Sequence, residues 1–176
     1  MKVGINGMGR IGRLALRSAF GGIRRPESDP RAGNRLDVVH INELKGGIAA
    51  TAHLIEFDSV HGRWHEDIGV DSDKQVAIGK NRIGFSEQAS PGDVAWGDLG
   101  CDVVLECTGK FNDRDKAAVH LGRGAKRVLI SAPAKRADLT VVYGVNHRSL
   151  LPEHSLQAHR RSLVAGRKGR TAQRRR

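Results

Sequence analysis

The residues best placed to do chemistry are three glycines near the start of the chain, in the pattern Gly7-x-Gly9-x-x-Gly12. An apolar run precedes them, and a helix-forming stretch, residues 13–17, follows. A dinucleotide site needs this order: one Gly makes the turn, one lets the backbone approach a pyrophosphate, and one allows close helix–strand packing. The chain holds 22 glycines, so a purely structural turn is the alternative, but the place directly after a strand favours a nucleotide turn.

An acidic residue stands where such a site usually holds the adenine ribose. Residues 36–42 predict a second apolar strand, and Glu43 follows it directly. A carboxylate at the end of this strand commonly binds the ribose hydroxyls. Glu43 comes 31 residues after Gly12, against roughly 20 in the common motif. The polar, Gly- and Pro-rich residues 21–35 account for the difference and predict a surface loop.

The elements that must position these residues alternate between strands and helices. Strands are predicted at residues 3–6, 36–42, 75–78, 102–107, 127–130 and 140–143, and helices at residues 11–20, 48–54 and 114–123. This alternation predicts an α/β fold of the Rossmann type, with a doubly wound, mostly parallel sheet and right-handed crossovers. Residues 65–85 instead predict short antiparallel strands joined by Gly turns.

Composition narrows the class of protein. A hydrophobic share of 39% suits one globular domain. No apolar stretch approaches the roughly 20 residues of a membrane span and no secretory leader opens the chain, so we expect a cytoplasmic protein without a membrane partner. Cys101 and Cys107 lie in or beside one predicted strand, which favours two unbridged, buried thiols. His61 and His65 are spaced like metal ligands on a helix, but Gly62 lies between them and no acidic or cysteine cluster completes a site, so we expect no metal.

The positive charge is concentrated at the C-terminal end. Of the formal net charge of +11, residues 155–176 contribute +8 and residues 1–154 the remaining +3. The C-terminal segment has no hydrophobic period and is rich in Arg, Gly, Gln and Ser, which predicts a disordered basic tail after a domain of residues 1–154. Cations without aromatic residues would give only sequence-blind affinity for nucleic acid, which is an alternative function for this tail.

Several motifs in a fixed order make the chain resemble the NAD-binding half of glyceraldehyde-3-phosphate dehydrogenase. They are GINGMGRIGR (4–13), FDSVHGR (57–63), ECTGKF (106–111), GAKRVLISAP (124–133) and GVNH (144–147), and the likeness runs from Val3 to about His154. The resemblance implies an NAD-dependent oxidoreductase that oxidises an aldehyde and transfers the acyl group to phosphate. The strings HINE (40–43), AHLIEFDSVHGRW (52–64) and ASPGDVAWGDLG (89–100) are similar to a branch associated with arsenic resistance, where arsenate takes the acyl group.

The resemblance also implies cofactor contacts by position. It implies that NAD is bound by Asn6, Gly7, Gly9, Arg10 and Ile11 at the pyrophosphate, Asn42 and Glu43 at the adenosine ribose, Thr108, Gly109 and Phe111 beside the adenine and nicotinamide, and Ser131 and Asn146 beneath the nicotinamide. The family has Asp where this chain has Glu43, and a carboxylate there favours NAD over NADP. Gln88 is nearest to the place where the family often has an arginine stacked on the adenine.

The same resemblance implies that the catalytic residues are missing. In the family a cysteine thiolate attacks the aldehyde and a histidine acts as base. The Ser-Cys-Thr-Thr-Asn string that carries this cysteine should follow GVNH shortly, but residues 154–162 read HSLQAHRRS. We therefore expect no catalytic residue and no substrate domain, so that glyceraldehyde 3-phosphate would bind only to a full-length relative. A frameshift or aberrant truncation near His154 is our hypothesis for this change.

Other interpretations of the sequence concern assembly and two polar clusters. A non-catalytic fragment that binds NAD, forms homo-oligomers or assembles with full-length subunits is the alternative to an enzyme. Asp58, Ser59, His61 and Arg63 predict a polar structural turn rather than a catalytic cluster. Cys107 follows a predicted strand beside the cofactor wall, but no motif places a histidine base next to it.

Overall fold

The computed structural model describes residues 1–21 and 36–159, which form a nine-stranded sheet, a small hairpin and four helices. The sheet strands are β1 (Lys2–Asn6), β2 (Asp37–Asn42), β5 (Ile68–Ser72), β6 (Gln75–Ile78), β7 (Asn81–Ser86), β8 (Val103–Glu106), β9 (Arg127–Ile130), β10 (Leu139–Val141) and β11 (Leu156–His159). The hairpin strands are β3 (Phe57–Asp58) and β4 (Gly62–Arg63). The helices are α1 (Arg10–Ala19), α2 (Gly47–Glu56), α3 (Arg114–Ala117) and α4 (Val119–Gly122).

The strand order is β10-β11-β9-β8-β1-β2-β7-β6-β5. All neighbours from β10 to β7 are parallel, whereas β7, β6 and β5 form an antiparallel meander. This confirms the predicted Rossmann-type, mostly parallel sheet and the antiparallel addition in the middle of the chain. The carboxyl ends of β1, β2 and β8 meet at one edge, where ligands of open α/β sheets bind.

The core lies on both faces of the sheet. On one face Ile5 and Ile41 pack with Leu16 of α1 and Ile55 of α2. On the other face Trp96, which is fully buried, packs with Cys101 and Val104. Gly4 of β1 admits Trp96, since a Cβ on this glycine would lie 2.5 Å from the indole ring. Cys101 and Cys107 are both free thiols, as the sequence predicted; Cys101 is buried, whereas Cys107 is only partly buried.

The end of the sheet corrects the predicted domain boundary. Residues 156–159, which were assigned to a basic tail, form β11, a strand inserted between β9 and β10. Leu156 and Ala158 are fully buried, and the Asp138 carboxylate accepts hydrogen bonds from the backbone N–H groups of Ser155 and Leu156 at 3.0 and 2.9 Å. Pairing with β9 and β10 orders this segment, so its own composition did not predict a strand. The rest of the predicted tail, residues 160–176, and the predicted loop at residues 22–35 lie outside the described residues.

No helix among residues 1–21 and 36–159 is both long and apolar enough to cross a membrane.

Candidate cofactor-binding site

A cleft of about 230 Å³ opens where β1, β2 and β8 end. Seven residues that the resemblance assigned to NAD line it: Asn6, Gly7, Gly9, Asn42, Glu43, Thr108 and Phe111. Six further lining residues were not predicted: Leu44, Lys45, Gln88, Ala89, Cys107 and Lys110, although Gln88 was compared with the family's adenine-stacking arginine. The sequence motifs therefore locate the cleft. They did not predict lining residues that lie next to the predicted ones in sequence, such as Leu44 and Lys45 after Glu43.

The three glycines differ in what an added side chain at each position would meet. Gly7 has a φ of +96°, and a Cβ on it would lie 2.7 Å from the backbone nitrogen of Thr108. A Cβ on Gly12 would lie 2.1 Å from the carbonyl oxygen of Gly7, so this glycine lets α1 pack against the turn. A Cβ on Gly9 would meet nothing within 4 Å, so the backbone there faces open space in the cleft. The glycine arrangement thus fits a pyrophosphate that approaches the backbone closely.

The N-terminus of α1 lies beside this open space. Its N-cap is Gly9, no side chain caps it, and its first turn carries no acidic residue. The first N–H groups of a helix have no partner within the helix, and together with the helix dipole they favour an anion. Arg10 and Ile11 belong to this first turn and are exposed. Their side chains are not among the cleft-lining groups, so the predicted contact is through their backbone N–H groups.

Glu43 bridges the glycine turn and the segment after β2. Its carboxylate accepts hydrogen bonds from the backbone N–H groups of Met8 at 2.6 Å and of Lys45 at 3.0 Å. An ionised carboxylate offers about four acceptor positions, so these two bonds leave capacity for ribose hydroxyls. The longer Glu side chain, in the place of the family's Asp, therefore reaches the turn while it still lines the cleft.

A buried amide pair supports the floor of the cleft. The Asn42 side chain donates to the Asn6 Oδ1 at 2.8 Å, and Asn6 donates in turn to the Glu106 carboxylate at 2.6 Å. Glu106 also accepts from the backbone N–H of Thr108 at 2.8 Å and from the Thr108 hydroxyl. No role was predicted for Glu106 from the sequence. The signal that could have found it is an acidic residue at the end of an otherwise apolar strand, because a buried charge needs several partners.

Five of the twelve predicted residues do not line the cleft: Arg10 and Ile11, described above, and Gly109, Ser131 and Asn146. The Ser131 hydroxyl, directly after β9, forms a hydrogen bond with the thiol of Cys107. Asn146 follows β10, and its amide is engaged by the backbone of Thr140 and Val142 at 2.9 and 2.7 Å. Its side chain therefore stabilises its own loop in this structure. Gly109, which has a φ of +74°, lies between lining residues without lining the cleft itself.

The cysteine of the cleft is a poor nucleophile. Burial raises the pKa of the Cys107 thiol to about 11, which the bond to Ser131 opposes only in part. Burial likewise raises the pKa of Cys101 to about 11. Thiols with such pKa values are protonated at neutral pH, and the thiolate is the reactive form.

The polar cluster after α2 is built as a turn. Asp58 accepts hydrogen bonds from the backbone N–H groups of Val60 and His61 at 2.9 and 2.8 Å and from the His61 ring at 3.1 Å. These bonds hold the pKa of the Asp58 carboxyl well below its usual range. All three hydrogen bonds join residues within the turn, as in an Asx turn. The geometry agrees with the predicted structural turn.

Comparison with known proteins agrees with this geometry. Residues 1–114 match the family described as "Glyceraldehyde 3-phosphate dehydrogenase, NAD binding domain". The chain is 49% identical to the glyceraldehyde-3-phosphate dehydrogenase of Xanthobacter flavus over 88% of its own length and 43% of that relative. It is 46% identical to the enzyme of Pseudomonas aeruginosa, over 89% of this chain and 44% of the relative. It is 45% identical to glyceraldehyde-3-phosphate dehydrogenase 3 of a Nostoc strain, over 87% and 42%.

The chain thus spans about two fifths of the length of these curated relatives. The matched family covers most of the described sheet, from β1 through β8 to α3, including both the glycine turn and Glu43. On these grounds the chain belongs to the family of NAD-binding domains of glyceraldehyde 3-phosphate dehydrogenase.

Proposed function

We propose that this chain binds NAD in the cleft above β1, β2 and β8, as the cofactor-binding half of a phosphorylating glyceraldehyde-3-phosphate dehydrogenase. The observation that carries the proposal is the arrangement of the glycine turn. Gly12 brings α1 against the turn and Gly9 leaves open space in front of the helix N-terminus. A pyrophosphate is the part of a dinucleotide that such a helix end attracts.

The residue roles follow from the positions of the groups around the cleft. The backbone N–H groups of Arg10 and Ile11 bind the pyrophosphate, and the free acceptor positions of Glu43 bind the adenosine ribose hydroxyls. Thr108 and Phe111 form the wall beside the bases. A carboxylate at Glu43 repels a 2′-phosphate, so the site prefers NAD to NADP.

The chemistry supplied by the bound cofactor is acceptance of a hydride by its nicotinamide ring. The residues of this chain bind and orient that cofactor and hold water away from its wall. Both cysteines of the chain have pKa values near 11, so neither supplies the thiolate that forms an acyl intermediate. We therefore propose that aldehyde oxidation, with acyl transfer to phosphate or arsenate, requires a thiolate other than these two cysteines.

Isothermal titration calorimetry with NAD and NADP tests this function. We expect one NAD site per chain and a Kd for NADP at least tenfold higher than that for NAD. The Glu43→Gln variant should show a smaller difference between the two Kd values. Addition of glyceraldehyde 3-phosphate and phosphate should give no NADH absorbance at 340 nm. Absence of NAD binding at millimolar concentration would contradict the proposal, and robust NADH formation would contradict the catalytic part of it.

A further inference from the structure

A continuous chain of buried and partly buried side-chain hydrogen bonds runs beneath the cleft. We call it the polar chain, and its members in order are His40, Ser86, Asn42, Asn6, Glu106 and His120. The successive distances are 2.9, 2.8, 2.8, 2.6 and 3.1 Å. Its members come from β2, β7, β1, β8 and α4, so it ties together the strands whose ends form the cleft.

One backbone segment fixes the direction of every hydrogen bond in the polar chain from His40 to Glu106. The Gln88 N–H donates to the Asn42 Oδ1 at 2.8 Å, and the Gln88 carbonyl accepts from the Asn42 Nδ2 at 2.9 Å. A backbone N–H can only donate and a carbonyl can only accept, so the orientation of the Asn42 amide is unambiguous. Its Nδ2 must then donate to the Asn6 Oδ1, and the Asn6 Nδ2 must face Glu106.

The same logic sets the histidine at the β2 end. Since the Asn42 Oδ1 is an acceptor, the Ser86 hydroxyl donates to it and accepts from the His40 Nε2–H. The His40 Nδ1 is buried and has no hydrogen-bond partner among the described residues, which agrees with a neutral Nε2–H tautomer. All donors of the polar chain therefore point in one direction, toward Glu106.

Glu106 receives four hydrogen bonds and makes none as a donor. Its Oε2 accepts from the Asn6 Nδ2 and the His120 Nε2, and its Oε1 accepts from the Thr108 N–H and hydroxyl. The Thr108 hydroxyl is itself an acceptor for the Lys110 N–H at 3.1 Å, so its proton is free to point at Glu106. Four donors saturate an ionised carboxylate, which offers about four acceptor positions and no donor. Glu106 is 1% exposed, and a charge so deeply buried is tolerable only with partners of this number.

We propose that the ionised Glu106 is the positioning residue of the cofactor site. It is not itself among the cleft-lining residues, but it holds Asn6 at the start of the glycine turn and Thr108 at the base wall. Through Asn6 it also fixes Asn42, next to the ribose-binding Glu43. Through His120, whose ring contacts Phe111 edge-on with centroids 6.5 Å apart, it supports the far wall. The inference rests on the proposed function only in taking NAD as the occupant of the cleft.

A glutamine at this position cannot satisfy the same partners. The Thr108 N–H requires an oxygen, so the side-chain NH₂ of Gln in a Glu106→Gln variant faces the Asn6 Nδ2, donor against donor. Asn6 cannot flip, since its Oδ1 is required by Asn42, whose orientation Gln88 fixes. A second change, Asn6→Asp, restores the pairing, because one Asp oxygen accepts from the new NH₂ and the other from Asn42. His120 would then accept at Nε2 and carry its proton on Nδ1.

The test compares Glu106→Gln with the double variant Asn6→Asp/Glu106→Gln and with Glu56→Gln as a control. Glu56 is also a carboxylate, but it pairs with the half-exposed Arg63 outside the cleft. We expect Glu106→Gln to raise the Kd for NAD at least tenfold and to lower the urea midpoint, and Glu56→Gln to change neither. The double variant should have a higher urea midpoint than Glu106→Gln. An unchanged Kd in Glu106→Gln, or a double variant no more stable than the single one, would overturn the proposal.

Histidine NMR gives a readout that is independent of NAD. Long-range ¹H–¹⁵N spectra of the unmodified protein should show a protonated Nε2 on both His40 and His120, and His120 should switch to Nδ1–H in the double variant. A His120 protonated only at Nδ1 in the unmodified protein would overturn the hydrogen-bond directions. If the unmodified protein fails to bind NAD while these tautomers are found, the proposed function fails and the hydrogen-bond account of Glu106 stands.

Discussion

Replacement of Gly12 by alanine tests whether the glycine turn is built for close packing. An alanine inside a helix normally stabilises it by up to about 1 kcal/mol relative to glycine. At Gly12 the added Cβ would lie 2.1 Å from the carbonyl oxygen of Gly7 and 3.1 Å from its carbon. Both contacts are with backbone, which cannot rotate away as a side chain can. The start of α1 must therefore move from the turn by about 1 Å to restore an ordinary contact.

The size of the effect follows from these opposing contributions. Overpacking that shifts backbone costs about 1–3 kcal/mol. After the gain in helix propensity, we expect Gly12→Ala to lower the free energy of unfolding by about 1–2 kcal/mol. A displaced helix end also loses about one charge-assisted hydrogen bond to the pyrophosphate, which corresponds to a rise in the Kd for NAD of about tenfold or more.

Two matched glycine variants separate packing from cofactor contact. Gly9→Ala adds a Cβ with nothing within 4 Å, so we expect a change in unfolding free energy below about 1 kcal/mol, from the weaker N-cap. Its methyl group occupies the space in front of the helix end, so the Kd for NAD should still rise about tenfold. Gly122→Ala, in α4 and also without neighbours within 4 Å, should leave the Kd for NAD unchanged and raise the free energy of unfolding by up to about 1 kcal/mol through helix propensity. Urea unfolding and calorimetric titration measure both. A Gly12→Ala variant as stable as the unmodified protein and with normal NAD affinity would refute the packing argument.

Three further predictions concern buried groups. The Arg17 guanidinium donates hydrogen bonds to the carbonyls of Ile55, Glu56 and Gly62 and lies over the Trp64 ring. We therefore expect Arg17→Lys to lower the free energy of unfolding by about 2–3 kcal/mol, and the control Arg63→Lys to lower it by less than about 1 kcal/mol. Equal urea midpoints for the two variants would contradict this prediction. Burial lowers the pKa of His40 from 6.5 to about 4, so the unfolded chain binds this proton first as pH falls: stability is complete above pH 6.5 and decreases toward pH 4. Between pH 7 and pH 5, urea unfolding should show a decrease of roughly 2 kcal/mol in the free energy of unfolding. This decrease should be absent in His40→Gln and retained in a variant of the exposed His65. The same dependence on pH in His40→Gln would exclude His40 as its source. Because the thiols of Cys101 and Cys107 have pKa values of about 11, both should react with iodoacetamide at pH 7.4 far more slowly in the folded than in the urea-unfolded protein. Mass spectrometry measures the extent of labelling. Rapid labelling of Cys107 in the folded protein would contradict the prediction.

The parts of the site that the sequence predicted are those determined by local geometry. The requirement for glycine at Gly7 and Gly12 follows from the turn itself, and Glu43 follows from its place after an apolar strand. Gln88 and its neighbour Ala89 reach the cleft only because β7 returns from the meander to pair with β2. That pairing joins residues more than 40 positions apart, which local patterns do not record.

Two further differences have the same tertiary origin. β11 is ordered by β9 and β10 on either side and by the Asp138 carboxylate, not by a pattern in its own residues. Asn146 carries an amide that fits a cofactor contact by motif, and the hydrogen bonds between that amide and the backbone of its own loop could not be predicted from the motif. Glu106 stood within a recognised motif, and its role became visible only when its four donors were placed around it.

The central claim, that NAD binds through the glycine turn, is tested most directly by amide chemical shifts. A ¹H–¹⁵N correlation spectrum recorded during NAD titration should show the largest saturable shifts at Gly9, Arg10, Ile11 and Thr108. The amides of β5 and β6, on the far edge of the sheet, should stay unchanged. Saturable shifts of this pattern are what the structure predicts. Binding that leaves the Gly9 to Ile11 amides unmoved, or that shifts only residues elsewhere on the surface, would contradict it.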